Sequence, residues 1–331
     1  MRSLAAALVI CVAACAEQAA PEGYGEGLGT PENPVPEDDF DYLLTSKMDF
    51  TVDGVAPAQV KDAAASWRTF STNPAKTLLA VGGQEDVQAL RSALSQPLLD
   101  RLEGWINTEV DKARIATKTM RQYATEVSTI TETIMTRFNL SSRLTMTPAK
   151  TTHGLVGLNF RPSNLDIVVP IGGMAADKLM QYPALAVATA GAISLGDQKF
   201  GLAFGHHAWS GINLASSSLF GGNVTAAIAT GLNCSVLAKA VAARCYNGAC
   251  VGHEFQLKAI CDSGGVALAN ELRDRVTAVT LSMFRLTAGS ARLVDDNGDG
   301  LADQIVDGVW EVELDLGTGL RKQAATFQAL Q

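Results

Sequence analysis

Asp295, Asn297, Asp299 and Asp303 place oxygen-bearing side chains at positions 1, 3, 5 and 9 of the stretch Asp295-Asp296-Asn297-Gly298-Asp299-Gly300-Leu301-Ala302-Asp303, with glycine at position 6. A hard divalent cation takes six or more oxygens at about 2.3–2.6 Å, and side chains at alternate positions of a tight loop turn towards one centre. Gly300 permits the sharp bend, and the Leu301 carbonyl adds a further oxygen. This is the chemistry of a calcium cradle, structural and weak, with an expected dissociation constant of roughly 10⁻⁴ to 10⁻³ M. A metal-free hairpin is the competing reading, because Asn-Gly and Asp-Gly are favoured turn dipeptides.

The elements that must hold this loop read as strands. Ser290 to Val294 and Val309 to Leu316 alternate, with Trp310, Val312, Leu314 and Leu316 on one face and Glu311, Glu313 and Asp315 on the other. The loop resembles the first part of an EF-hand loop, and equally the D-x-N-x-D-G-x-x-D loops of thrombospondin type 3 and similar bacterial calcium repeats. It departs from the EF-hand at position 12, where Val306 replaces the bidentate glutamate, and in its flanks, which are not helical. Asp307 is the nearest source of a last oxygen. The resemblance implies an ion-filled turn between two strands and not a switch.

A second pattern lies in the cysteines. Cys234, Cys245, Cys250 and Cys261 follow C-x10-C-x4-C-x10-C, symmetric about Tyr246-Asn247-Gly248-Ala249. Eleven residues make close to three helical turns, so both cysteines of an arm share a helix face. The spacing predicts a helical hairpin with nested bridges, Cys234 to Cys261 and Cys245 to Cys250, out of three possible connectivities. A four-cysteine zinc site is the rival, but such sites favour paired C-x2-C spacings.

Catalytic chemistry is thinner, and no catalytic residue is assigned. Gly205-His206-His207-Ala208-Trp209-Ser210-Gly211 gathers two histidines and a serine, yet Ser210 lacks the glycines of a nucleophile elbow, and adjacent histidines on a strand point apart. His153 and His253-Glu254 stand alone, without an H-E-x-x-H helix. Gly23-Tyr24-Gly25-Glu26-Gly27 looks like a phosphate loop, but no strand precedes it and no helix follows. A hydrolase using His206 or His207 is therefore the least favoured of the functional readings.

The N-terminal stretch assigns the compartment. Arg2 precedes an apolar run from Leu4 to Ala14 that is too short to span a bilayer, and the run ends in Val12-Ala13-Ala14-Cys15. This resembles a bacterial lipobox, with Cys11 inside the discarded run. The resemblance implies a signal peptide over residues 1–14, a diacylglycerol on Cys15, and an outer membrane lipoprotein facing the periplasm or the cell surface, since Ala16 stands where an Asp would favour the inner membrane. An ordinary secretory leader is the alternative. Residues 15–42 then form a disordered tether in which Pro21, Pro31, Pro34 and Pro36 are interleaved with glycines and acidic side chains.

The chain carries 26 basic and 34 acidic side chains, a net charge of −8, with no Lys/Arg block, which excludes nucleic acid as a partner. A helix is expected over Ala58 to Phe70, a break at Gly82-Gly83, and amphipathic helices through Val87, Leu90 and Leu94, then Leu98, Leu102, Trp105, Ile106 and Val110, then Met120 to Phe138 with a turn near Ile115. After Asn139 the period changes to a meander of Ser142 to Thr147, Thr152 to Phe160 and Leu165 to Val169, with a further hairpin from Ile193 to Phe204 turning at Gly196-Asp197. The twelve residues from Ala184 to Leu195 are too short to cross a membrane and read as buried core, and helical character returns from Val224 to about Val279.

The fold class is α+β, with a body over residues 43–275 and a C-terminal β element over 276–331. The expected function is that of a membrane-anchored exported lipoprotein with a structural or binding role and a calcium-stabilised turn, its protein or ligand partner unassigned. A carrier of lipid or another hydrophobic ligand, with its cavity between the helices of Leu98 to Phe138 and the meander, is the alternative.

Overall fold

The computed structural model describes residues 35–36, 40–51, 58–146, 151–171, 186–189, 191–195, 198–279, 281–315 and 320–331. Cys15, the leader, most of the tether and Gly196-Asp197 lie outside them. The fold is α+β. Ten strands form one sheet: β1 (Phe40–Asp49), β2 (Arg137–Met146), β3 (Thr151–Phe160), β4 (Ile167–Pro170), β5 (Ala186–Thr189), β6 (Ala192–Leu195), β7 (Gln198–Leu202), β8 (Leu281–Val294), β9 (Gln304–Asp315) and β10 (Leu320–Leu330). Their order is β4-β3-β2-β1-β10-β9-β8-β6-β5, with β7 also paired to β8, and every pairing is antiparallel.

The strands form because their side chains alternate. On β1, Tyr42, Leu44, Ser46 and Met48 are buried, while Leu43, Lys47 and Asp49 are exposed. Phe138, Leu140, Ser142 and Leu144 repeat the pattern on β2, as do Ala325, Phe327 and Ala329 on β10. One face is therefore inward and must be covered. At one end the sheet covers itself. His153 of β3 stacks on Trp310 of β9 with centroids 6.1 Å apart, although four strand steps, about 19 Å on a flat sheet, separate them. The sheet must curl to bring them together, and Gly289 of β8 makes room, since a Cβ there would lie 2.3 Å from Trp310 Cε3.

At the other end helices close the curl. Residues between β1 and β2 supply α1 (Ala58–Ala63), α2 (Ala65–Thr72), α3 (Pro74–Val81), α4 (Gln84–Ala93), α5 (Gln96–Val110) and α6 (Met120–Thr136). The start of α6 is fixed by a capping box in which Thr119 accepts from the Gln122 N–H and the Gln122 side chain accepts from the Thr119 N–H. Its stripe of Met120, Tyr123, Val127, Ile130 and Ile134 is buried. The later helices are α7 (Phe204–Phe220), α8 (Val224–Leu232), α9 (Cys234–Ala242) and α10 (Glu254–Thr277). Helix α7 lies close to the sheet end, where a Cβ on Gly211 would meet Phe160 at 2.8 Å.

Several expectations need correction. The helix over Ala58 to Phe70 is two helices, α1 and α2, parted at Ala64, and the switch to strand comes at Arg137, before Asn139. Strands β6 and β7 do not form a hairpin with each other; both pair with β8. The apolar segment ending at Leu195 supplies β5 and β6 at a sheet edge, where Ile193 is buried but Ala192 and Ser194 are exposed. His206 and His207 sit on a helix, α7, and not on a strand. The tether cannot extend to residue 42, because β1 begins at Phe40, and Val35–Pro36 pairs in parallel with Leu301–Ala302. The boundary at 275 is not one in space, since β1 of the body pairs with β10 of the C-terminal element.

Candidate metal centre

The loop of residues 295–303 joins β8 to β9, which pair up to the rung Val294↔Gln304. Its side-chain oxygens fold inward and take up the loop's own backbone donors. Asp295 Oδ1 accepts from Gly298 N at 2.6 Å and Asn297 N at 3.1 Å, and Asp295 Oδ2 accepts from Gly300 N at 2.8 Å. Asn297 Oδ1 accepts from Asp299 N at 2.9 Å, Asp299 Oδ1 from Leu301 N at 2.8 Å, and Asp303 Oδ2 from Asp296 N at 2.7 Å. Gly298 and Gly300 turn with φ of +80° and +89°, conformations that side chains disfavour. Tyr42 of β1 donates to the Ala302 carbonyl at 2.8 Å and ties the loop to the curled core.

Desolvation pushes the Asp295 carboxyl up, but the backbone N–H groups of Gly300, Gly298, Asn297 and Asp299 outweigh it and hold the group below the usual carboxylate value. The donor set fits a hard cation in kind: Asp295, Asn297, Asp299 and Asp303 present oxygens to the inside of one loop, and each carboxylate keeps lone pairs beyond its backbone bonds. The convergence is incomplete, since among the described residues no three His, Cys, Asp or Glu side chains lie close enough to hold one ion. Asp307 is turned away. It lies on a bulge of β9 with φ of +55° and is bound by Arg292, at 3.0 Å from Nη2.

The four core cysteines stand at disulfide distance as the spacing requires, Cys234 with Cys261 and Cys245 with Cys250. The outer pair joins α9 to α10 and is buried; the inner pair is exposed. The geometry of the inner pair differs from the helical expectation. Helix α9 stops at Ala242, and Cys245–Tyr246 pairs with Ala249–Cys250 as a short ladder. Asn247 and Gly248 have φ of +50° and +82°, which is the left-handed turn that Asn-Gly favours between strands. This knuckle is held against α5. Glu109 receives Lys112 at 2.8 Å and Arg244 at 2.7 Å, and the Arg101 guanidinium lies 3.8 Å from the Tyr246 ring centroid.

The remaining candidates are dispersed. His206 is exposed and His207 buried on α7, and Ser210 Oγ donates to the His206 carbonyl, not to an imidazole. His153 is buried, with Nε2 2.6 Å from Ser142 Oγ. Leu98, Leu102, Ile106, Val127, Ile130 and Ile134, whose faces would line a carrier's chamber, are core residues no more than 4 % exposed. Sequence reasoning missed a row on the outer face of the sheet, where Thr326, Lys47, Asn139 and Asn159 stand in register across β10, β1, β2 and β3. The available signal was polar residues at alternate strand positions, but only the pairing places them side by side.

No family model matches the chain, and no curated protein or solved structure is significantly similar to it.

Proposed function

We propose that this chain is an exported lipoprotein, fastened to the outer membrane by a diacylglycerol on Cys15, with a non-enzymatic structural or binding role and a hairpin turn at residues 295–303 stabilised by calcium. The observation that carries the reading is the pairing of all four cysteines of the described residues at disulfide distance. Bridges of this kind form and persist outside the reducing cytosol, in agreement with the leader and the Val12-Ala13-Ala14-Cys15 signal. Two or three acyl chains, at about 0.8 kcal/mol per buried methylene, hold a protein on a membrane where one does not.

In the bacterial host, radiolabelled palmitate should enter the chain and co-fractionate with membranes, and Cys15→Ser should remove the label. A labelled Cys15→Ser chain, or an unlabelled parent, rejects the anchor. For the turn, calcium should raise the melting temperature, EGTA should reverse the rise, and Asp299→Ala should abolish the response. An unchanged melting curve in the parent rejects the ion while leaving the anchor standing.

A further inference from the structure

Strands β1 and β10 pair from Leu43↔Leu330 to Lys47↔Thr326, and the same register would set Asp49 opposite Ala324. The pairing stops short of that rung. Strand β1 stays with β2 as far as Asp49↔Arg137, and β10 stays with β9 as far as Asp315↔Leu320, so two ribbons diverge. Among the described residues, the register holds no rung between Met48 or Asp49 and Ala325 or Ala324. The divergence opens a cleft of about 560 Å³ between them. Ala324 and Ala325 keep one wall low, Met48 and Phe138 give it apolar surface, and the row of Lys47, Asn139 and Asn159 gives it polar surface.

Backbone donors and acceptors along an interrupted ladder are a template for another strand. The charge of the lining selects which strand. Lys47, Arg137 and Arg161 face one acid, Asp49. Arg137 holds Asp49 at 3.0 Å and Arg161 holds Asp166 at 3.2 Å, while Lys47 makes no ion pair among the described residues. An unneutralised cation at an open ladder, on a chain of net charge −8, suits a carboxylate-bearing segment.

We infer that this cleft takes up an extended acidic peptide as an added strand, its backbone continuing the ladder at Asp49 and Ala324 and a carboxylate meeting Lys47. The inference requires neither the anchor nor the ion.

The test uses the mature full-length protein and a fluorescein-labelled hexapeptide of alternating valine and glutamate. Saturable binding should appear by anisotropy, with amide exchange slowed in the segments around residues 47–50 and 322–326. Lys47→Glu should weaken binding by about tenfold or more and Lys47→Arg should retain it, while Ala324→Phe should block the cleft. Both positions are exposed, and an unchanged circular dichroism melt verifies that each of the three variants folds. A valine–lysine peptide, and a valine–glutamate peptide N-methylated along its backbone, should bind at least about tenfold more weakly. No binding to the parent at about 1 mM peptide overturns the proposal. So does binding that survives Lys47→Glu or N-methylation, or displacement by citrate at the same concentration as by peptide, which would mark a small carboxylate site instead.

Discussion

Two tight turns close two hairpins of this molecule, and they are held by opposite means. The knuckle at Cys245–Cys250 is fixed by a covalent bridge and a left-handed Asn-Gly turn, and its arms are bridged again at Cys234–Cys261. The loop at Asp295–Asp303 has no covalent restraint. Three Asp side chains and one Asn accept its backbone N–H groups, with Asp295 alone accepting three. The first turn limits the unfolded chain whatever the pH or ion content. The second depends on carboxylates staying ionised, and so responds to protons and cations. The difference shows how one chain can place an insensitive clamp on its helical layer and a conditional one on its sheet.

The largest effect that would sharpen this contrast is removal of the outer bridge. With a sequence separation of 27, the Cys234→Ala/Cys261→Ala double variant should lose about 3–4 kcal/mol in denaturant unfolding. The inner bridge, with a separation of 5, should cost about 2 kcal/mol in the Cys245→Ala/Cys250→Ala variant. Neither loss should change when calcium is added. Next comes the ion itself: at ten times its dissociation constant calcium should stabilise the parent by about 1.4 kcal/mol, seen as a rise in melting temperature that is absent in Asp299→Ala. Equal calcium responses in Asp299→Ala and the parent would break the comparison.

The smallest effect is acid sensitivity. The folded-state pKa of Asp295 lies below its ordinary value of 3.8. Its contribution is therefore complete above that value and is lost as pH falls through the lower folded one. Amide exchange at Gly298 and Gly300, measured from pH 5 downward, should accelerate beyond the intrinsic rate only below about pH 4, while the knuckle amides keep their protection. Loss of protection already at pH 5 would contradict the carboxylate cage.

Periodicity was a reliable guide where an element buries one face. The stripe from Met120 to Ile134 reads as a helix and is one; the alternation from Trp310 reads as a strand and is one. Symmetric cysteine spacing gave the correct partners even though the inner pair sits on a two-residue ladder, because partner choice depends on how the arms fold back and not on what the arms are made of. The Asn247-Gly248 dipeptide was the overlooked signal for that ladder. Helix α7 was missed because Gly205, Gly211 and its serines are weak helix formers; burial of Phe204, Ala208, Ile212 and Ala215 on one side overrides propensity.

Sheet order was not legible. An alternating strand says which face is inward but not who its neighbour is, so neither the β1–β10 pairing nor the curl that brings His153 to Trp310 could be read from the chain. The Asp295 loop was legible as to residue type, whereas the use of its oxygens by the loop's own backbone was not.

The central claim, that this is an anchored protein of an oxidising compartment, is tested most directly by mass spectrometry of the native, unreduced chain purified from the cells that make it. The account predicts a chain beginning at Cys15 with the mass of an acylated thiol and no alkylatable sulfur among Cys234, Cys245, Cys250 and Cys261. A chain that retains residues 1–14, with an unmodified Cys15 and four alkylatable core thiols, would contradict it.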